Sequence, residues 1–281
     1  MMLIRVGYDI AIESAQPTPL VCLVTPHVSR QGDFTGPEQV TTTPQVPVHS
    51  YFDDYGNICR RMIAPAGFFS LRGDVTLRDD GLIDEADENA QEWPVEALPD
   101  EVLTFLNGSR YVETDLISQE AWDLFGNVPA GWGRVQHIVD HVQGHISFDY
   151  MKARATRTAV EAMQEGHGVC RDFAHLALAF LRAMNIPARY VNGYLGEIGV
   201  PASGQPMDFS AWIEVFLGGK WWTFDPRNNQ RRIGRVVVAR GHDATDVPLL
   251  NSFGEHRLDK FEVWCDAVDE AGNKVDVKAV A

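Results

Sequence analysis

The stretch that decides the fold runs from residue 166 to residue 194 and reads Gly166-His-Gly-Val-Cys170-Arg-Asp-Phe-Ala-His-Leu-Ala-Leu-Ala-Phe-Leu-Arg-Ala-Met-Asn-Ile-Pro187-Ala-Arg-Tyr-Val-Asn-Gly-Tyr194. It predicts a helix that begins at Cys170 and ends near Asn185, because Pro187 cannot continue a helix. A strand is predicted to follow. Six apolar residues recur at helical spacing and predict one packed face: Phe173, Leu176, Ala177, Phe180, Leu181 and Met184.

Cys170 occupies a chemically distinctive position in this stretch. A thiol at a helix N-terminus is close to unpaired N–H groups and to the positive end of the helix dipole, which lower its pKa and favour the thiolate. The same N–H groups suit a developing oxyanion. The alternative is a small buried hydrophobic residue, since free cysteine is among the most buried residue types.

Composition limits the classes of partner. The chain has 281 residues, 45% of them hydrophobic, and a formal net charge of −15, which disfavours nucleic acid and anionic membrane surfaces as partners. We see no signal peptide at the start and no apolar run near the roughly 18 residues of a membrane span. Four cysteines lie far apart without a CxxC pair, which favours reduced thiols and a cytoplasmic location: Cys22, Cys59, Cys170 and Cys265.

The order of the predicted elements gives an α+β protein in two parts. Residues 1–95 are predicted to form an antiparallel β-sandwich-like domain, because short β-patterned runs alternate with turn residues and prolines. Residues 79–92 carry seven acidic residues and no basic one, and are predicted to be a solvated linker. Residues 96–281 are predicted to form the core, including the C-terminal strands.

A hairpin is predicted in the second part. Residues 208–217 and 220–226 have strand character, and Gly218-Gly219 between them is a two-residue turn sequence. Such a hairpin brings its two ends together. Position 210 and Asp225 are therefore expected to be neighbours.

Three histidines offer a possible metal site. His137, His141 and His145 recur every four residues on the predicted helix 134–146, opposite its apolar face, and Asp140 accompanies them. A solvated histidine face is the favoured interpretation, because no cysteine or distant carboxylate is tied to the group. We therefore predict no metal and no organic cofactor.

Four motifs carry a resemblance to a known family. Gly-Val-Cys-Arg-Asp-Phe-Ala, Ile-Pro-Ala-Arg-Tyr-Val-x-Gly-Tyr, Ala-Trp-Ile-Glu-Val and Trp-Thr-Phe-Asp-Pro, in this order and spacing, resemble the bacterial transglutaminase-like, papain-like thiol family. The resemblance implies a core in which the helix bearing the cysteine packs against an antiparallel sheet, preceded by a β domain. It implies a Cys–His–Asp triad in which Cys170 and Asp225 match the cysteine and the aspartate.

The chain departs from the family at the histidine. That residue normally stands directly before the Ala-Trp motif, and Ser210 stands there instead. A hydroxyl cannot exchange protons near neutral pH as an imidazole does. Three histidines remain as alternative bases: His167 in the turn before Cys170, His175 on the far side of the helix, and the more distant His242.

Two functions of different class follow. The first is an enzyme in which Cys170 attacks a peptide or glutamine-like amide, and the thioester passes to water or to an amine. Asp225 would orient the base or the water. The second is a catalytically silent module that binds a peptide or protein in the same cleft. Ser210 favours the second function, whereas the retained Cys170 and Asp225 favour the first.

Overall fold

The computed structural model describes residues 1–277 and combines antiparallel sheets with five α-helices among these residues. The strands are β1 (Met2–Ser14), β2 (Thr18–Cys22), β3 (Gln39–Thr43), β4 (His49–Phe52), β5 (Ile58–Ala64), β6 (Gly67–Asp79), β7 (Ser147–Phe148), β8 (His167–Gly168), β9 (Ala188–Leu195), β10 (Ser210–Leu217), β11 (Lys220–Phe224), β12 (Arg235–Gly241), β13 (Leu250–Ser252) and β14 (Arg257–Val268). The helices are α1 (Asp100–Leu103), α2 (Thr114–Phe125), α3 (Trp132–His145), α4 (Ala159–Glu165) and α5 (Cys170–Ala183). The predicted α+β class is confirmed.

Helix α5 is the centre of the core. It packs against the sheet β11-β10-β9-β12 on one side and against α2, α3 and α4 on the others. Its sequence gives it apolar or small side chains nearly all round, so it is buried on every side. The prediction of a single packed face was wrong: His175, Leu178 and Arg182 are all buried.

Arg182 shows how a charged residue fits into this core. Its guanidinium donates hydrogen bonds to the carbonyl oxygens of Ala188, Asn107 and His242 at 2.6 to 3.0 Å. These bonds replace the water that burial removes. Helix α5 ends where expected, because Asn185 adopts the left-handed conformation with φ 63° before Pro187.

The predicted hairpin joins β10 and β11. Gly218 and Gly219 have φ of 61° and 83°, values that favour glycine, and the ladder pairs Leu217 with Lys220 and Ile213 with Phe224. Asp225 follows the last paired residue of β11. The hairpin therefore brings Asp225 back to the level of the first residues of β10.

The N-terminal strands form two sheets with the C-terminal strands. One sheet has the order β14-β1-β6-β3 and the other has the order β13-β2-β5-β4. The prediction grouped the C-terminal strands with the core, but β14 pairs with β1 along almost its whole length. β14 has twelve residues and β1 has thirteen, so the two strands can pair along almost their whole length.

The acidic segment, residues 79–92, is held against the core at its C-terminal end. Ala90 O accepts from Trp132 N at 3.0 Å, and Gln91 O accepts from Gly218 N at 2.8 Å. Glu92 forms an ion pair with Arg134 at 3.0 Å. The predicted solvation holds for most residues of this segment, which are exposed, but Ala90, Gln91 and Glu92 are held against the core.

The lengths and hydropathies of the helices show whether any of them could span a membrane. Among residues 1–277, no helix is both long enough and apolar enough to cross a bilayer.

Candidate active site

A rigid turn delivers Cys170 to the first position of α5. Helix α4 ends at Gly166 in the left-handed conformation, with φ 66°. Asp172 Oδ2 accepts from Val169 N at 2.9 Å and from the buried guanidinium of Arg157 at 3.0 Å. A Cβ at position 168 would lie 2.6 Å from that carboxylate oxygen, so the turn requires Gly168. These contacts fix the backbone on both sides of the thiol.

The Cys170 thiol lies against the beginning of β10. Cys170 is half-buried, and burial raises the pKa of its thiol above the ordinary value. A backbone hydrogen bond from Ala211 and the charge of Arg227 lower the pKa, while Asp208 and Asp225 raise it. The sequence predicted a lowered pKa from the helix terminus. Burial outweighs that effect, and the resting group is a neutral thiol.

A cavity of about 930 Å³ opens at the beginning of β10. Ser210 and Asp208 line it from the chain that enters β10, and Arg227 lines it from the turn after β11. Tyr150 and Phe148 form part of the opposite wall, and the Arg227 guanidinium lies 3.7 Å from the centre of the Phe148 ring. The cavity therefore combines aromatic walls with charged side chains of both signs.

Ser210 and Asp225 face different cavities. Ser210 lines the 930 Å³ cavity, whereas Asp225 lines a second cavity of about 630 Å³ together with Trp132 and Asp140. In the β10–β9 ladder Ser210 is paired with Gly193. The charge of Asp225 still raises the Cys170 pKa, so the carboxylate is near the thiol without facing the same space.

Hydrogen bonds occupy both oxygens of Asp225. Oδ1 accepts from the backbone N–H groups of Arg227 at 3.2 Å and of Asn228 at 2.9 Å. Oδ2 accepts from Asn228 Nδ2 and from Arg235 Nη2, both at 2.8 Å. Arg235 is itself buried and forms a second ion pair with Asp84 at 2.7 Å. Asp225 thus orients a turn and an arginine.

His175 lies in the core. Its ring is fully buried, stacked on Tyr111 at a centroid distance of 5.1 Å, and its Nε2 accepts from Ala244 N at 3.2 Å. Burial lowers the pKa of His175 to about 3, so the imidazole is neutral. Tyr190, on β9, packs beside it with a centroid distance of 5.3 Å. These contacts favour a structural role over that of a base.

His167 and His242 are engaged elsewhere. His167 Nδ1 lies 2.8 Å from Glu165 O, and its Nε2 lies 3.4 Å from the Glu165 carboxylate. His242 contacts Tyr55 Oη at 2.7 Å and Thr104 Oγ1 at 2.7 Å. All three alternative histidines thus contact partners other than Cys170.

The three histidines of α3 also have separate partners. His137 Nδ1 contacts Gly133 O, and His145 Nε2 contacts Met163 O. His137 and His145 are exposed, as expected for a solvated face, whereas His141 is half-buried against Phe125 and Phe180. Within the described part of the chain, no three His, Cys, Asp or Glu side chains are grouped as metal ligands would be.

The motif analysis missed two charged residues that act on the pKa of the thiol. Asp208 stands two positions before Ser210, and Arg227 stands two positions after Asp225. Their closeness in sequence to Ser210 and Asp225 could have identified them as candidate site residues. The sequence did not identify Arg235 as a site residue, because its contact with Asp225 is formed only in the tertiary structure.

Known proteins share this architecture. The profile of the transglutaminase-like superfamily matches residues 123–226, which contain Cys170, Ser210 and Asp225. The crystal structure of a "Putative Cysteine Protease" from Cytophaga hutchinsonii superposes with a TM-score of 0.84 at 25% sequence identity, covering 100% of this chain and 94% of that one. The fold is thus shared over the whole chain.

Mycobacterial proteins share part of the sequence. An uncharacterized protein of Mycobacterium leprae is 41% identical over 99 residues, which is 33% of this chain and 34% of that protein. An uncharacterized protein of Mycobacterium tuberculosis strain H37Rv is 38% identical over 99 residues, covering 32% of each. The chain matches about a third of the length of these curated relatives.

Proposed function

We propose that this chain, which carries a transglutaminase-like core over residues 123–226, is a thiol enzyme that acts on amide groups of peptides or proteins. Cys170 would form a thioester with the acyl group, which then passes to water or to an amine. The observation that supports this best is the setting of Cys170. It begins a buried helix that packs against β10, whose first residue lines a cavity of about 930 Å³, and Ala211 and Arg227 lower the pKa of its thiol.

The helix terminus supplies a second element of the reaction. The first N–H groups of an α-helix have no partner within the helix, and at α5 the ones left are those of Cys170 and Arg171, because the N–H groups of Asp172 and Phe173 donate to Val169 O. Addition of the thiolate to a carbonyl places negative charge on the former carbonyl oxygen. N–H groups at that position stabilise this charge more than they stabilise the neutral substrate.

The raised thiol pKa gives the proposed activity a distinctive pH dependence. Burial keeps Cys170 protonated at neutral pH, and only the thiolate is nucleophilic. We therefore expect turnover to rise with pH across the alkaline range, whereas a cysteine paired with imidazolium would already be ionised in weak acid.

The test is turnover of glutamine-containing peptides, followed by ammonia release and by mass spectrometry of an acylated Cys170. Wild type should release ammonia faster at pH 9 than at pH 7, and Cys170→Ala should abolish release. Cys59→Ala is the matched control, because Cys59 is buried on β5, where it contacts Asp53 and Asn57. Equal release from Cys170→Ala and wild type would rule the proposal out.

A second candidate is a silent module that binds a peptide in the same cavity. The observation that favours it is the loss of the triad arrangement, since Ser210 replaces the histidine and Arg235 engages Asp225. Wild type and Cys170→Ala would then bind peptides with equal affinity in calorimetry and neither would release ammonia.

A further inference from the structure

The turn before Cys170 is held by two kinds of contact. Backbone N–H groups of β7 and of the residue after it donate to Gly166 O at 2.9 Å and to Gly168 O at 3.0 Å. A side chain holds the last residue of the turn, because Asp172 Oδ2 accepts from Val169 N at 2.9 Å. The position of the peptide that leads into Cys170 therefore depends on where the Asp172 carboxylate lies.

The Asp172 carboxylate is fixed by two arginines. Asp172 is 1% exposed, and a buried carboxylate needs charged or hydrogen-bonding partners to replace water. Arg157 Nη1 donates to its Oδ2 at 3.0 Å, and Arg171 Nη2 donates to its Oδ1 at 3.1 Å. Arg157 is itself only 2% exposed, so this ion pair lies inside the protein.

Arg157 also joins the two helices on either side of the turn. Its Nε donates to Oε2 of Glu165, the last residue of α4, at 3.0 Å, while Asp172 belongs to the first turn of α5. A guanidinium is planar and presents its donors in a fixed fork, so it holds both carboxylates in one geometry. The ammonium of a lysine is a point charge and fixes no such geometry.

Val169 controls the N–H groups that remain at the start of α5. Its carbonyl oxygen accepts from the N–H groups of Asp172 at 2.8 Å and of Phe173 at 3.3 Å. The N–H groups of Cys170 and Arg171 are thus the ones left to bind an oxyanion. Any movement of Val169 would change the direction in which these two groups point.

We infer that Arg157 is a positioning residue for the oxyanion donors of this site. Through Asp172 it holds Val169, and so directs the N–H groups of Cys170 and Arg171. The inference rests on the proposed function for its catalytic consequence. A misplacement of about 1 Å that originates far from the reacting atoms can cost about 10²-fold in rate. Arg157 lies outside the four sequence motifs.

The first experiment replaces Arg157 by a residue of the same charge. Arg157→Lys should lower kcat for glutamine-containing peptides by about tenfold or more and leave KM unchanged, because the donors bind charge that develops only in the transition state. Alkylation of Cys170 by iodoacetamide should keep the wild-type rate. In that reaction sulfur displaces iodide from a CH₂ carbon, and no carbonyl oxygen gains charge.

An aldehyde measures the same donors without turnover. The probe is an acetylated tripeptide in which an aldehyde replaces the side-chain amide of glutamine. Cys170 Sγ adds to the aldehyde carbon, the π pair moves to the oxygen, and the thiol proton ends on that oxygen, so no group leaves. Such adducts resemble the transition state. The dissociation constant should rise in Arg157→Lys by about the factor by which kcat falls.

Arg154→Lys is the matched control. Arg154 belongs to the same ion-pair cluster, where it pairs with Glu161 at 3.1 Å and with Glu165 at 2.6 Å, but its side chain is 39% exposed and its ion pairs do not include Asp172. The control should keep the wild-type kcat and aldehyde affinity. If Arg157→Lys does not fold, Arg157→Gln with Asp172→Asn replaces it, because this double variant leaves no buried carboxylate at position 172 and should show the same decrease.

Each outcome decides the question. A lower kcat and weaker aldehyde binding with unchanged alkylation support the inference. Equal effects of Arg157→Lys and Arg154→Lys, or an unchanged aldehyde affinity, overturn it. A parallel decrease in alkylation also overturns it, since the thiol would then be the group affected. If wild type binds the aldehyde without turning over peptides, the proposed function fails and the aldehyde affinities alone decide the inference. If wild type does neither, both are overturned.

Discussion

At the scale of single residues, the site is a cysteine whose neighbours differ from those that the motifs implied. Ser210 occupies the family's histidine position, and Asp225 is engaged by Arg235 and by its own turn. Besides burial, the groups that act on the pKa of the thiol are Ala211, Arg227, Asp208 and Asp225. Ala211 and Asp225 belong to the motifs, whereas Arg227 and Asp208 lie outside them.

Ser210→His tests whether the missing imidazole is enough to restore a triad. The imidazole would stand beside Ala211 and form an ion pair with the thiolate, so alkylation of Cys170 at neutral pH should increase. Turnover should gain less than the roughly 10²-fold of an oriented general base, because Asp225 has no free oxygen to orient the ring. Steady-state kinetics beside iodoacetamide titration measures both effects. A gain in turnover above 10²-fold would show that Asp225 can leave Arg235.

At the scale of elements, an ion-pair cluster ties three strands of the core sheet together. Glu214 on β10 accepts from Arg189 Nε on β9 at 2.6 Å and from Arg240 Nε on β12 at 2.9 Å. Burial raises the pKa of Glu214, but the two arginines outweigh burial and hold the pKa below its ordinary value. The cluster lies in the sheet that supports α5, so it helps to fix the strand that approaches the thiol.

Glu214→Gln should destabilise the protein at pH 7 by about 3 kcal/mol, because two largely buried guanidinium groups lose the counter-charge of a buried carboxylate. The stabilisation by a carboxylate with a lowered folded-state pKa is complete above the unfolded value of about 4.3 and is lost as the pH falls through the folded value. The difference in the free energy of unfolding between wild type and Glu214→Gln should therefore be smaller at pH 3.5 than at pH 7. Urea unfolding at both pH values measures this difference.

Glu13→Gln is the control for that change, because Glu13 pairs with Arg257 at the surface, where ion pairs contribute about 0–1 kcal/mol. A Glu214→Gln variant with the same loss of stability at pH 7 and pH 3.5 would contradict the assignment of the effect to the charged carboxylate.

At the scale of the whole molecule, the first and last strands of the chain lie side by side. β1 is central in its sheet, with β14 on one side and β6 on the other. Most of the buried apolar residues form one cluster that includes both β1 and α5, and Leu98, Val102 and Phe216 form a second, small one. The N-terminal sheets and the helix that carries Cys170 therefore share a core.

Gly7→Ala probes the junction of these three strands. A Cβ at position 7 would lie 2.3 Å from the Trp264 ring of β14 and 2.4 Å from Gly73 O of β6. We expect the free energy of unfolding to decrease by about 1–3 kcal/mol, because neither the Trp264 ring nor the strand of Gly73 can move without disturbing its own contacts. Gly36→Ala is the control, since a Cβ there meets nothing within 4 Å. Equal melting temperatures for the two variants would contradict the close approach.

The sequence by itself determined the local features of this protein. Helical spacing in 173–184, the turn at Asn185 and Pro187, and the Gly218-Gly219 hairpin are set by backbone preferences that act over a few residues. The same holds for the position of Cys170 at a helix start. Four spaced motifs were enough to predict the α+β architecture and the transglutaminase-like core.

Only the tertiary structure decided what surrounds these features. Burial of α5 on every side, the pairing of β14 with β1, and the ion pairs of Arg235 with Asp84 and Asp225 join residues far apart in the chain. The pKa of Cys170 also belongs to this class, because desolvation depends on everything that packs around the sulfur. Local patterns carry no information about such distant neighbours, and for that reason the sequence identified the thiol but not the direction of its pKa shift.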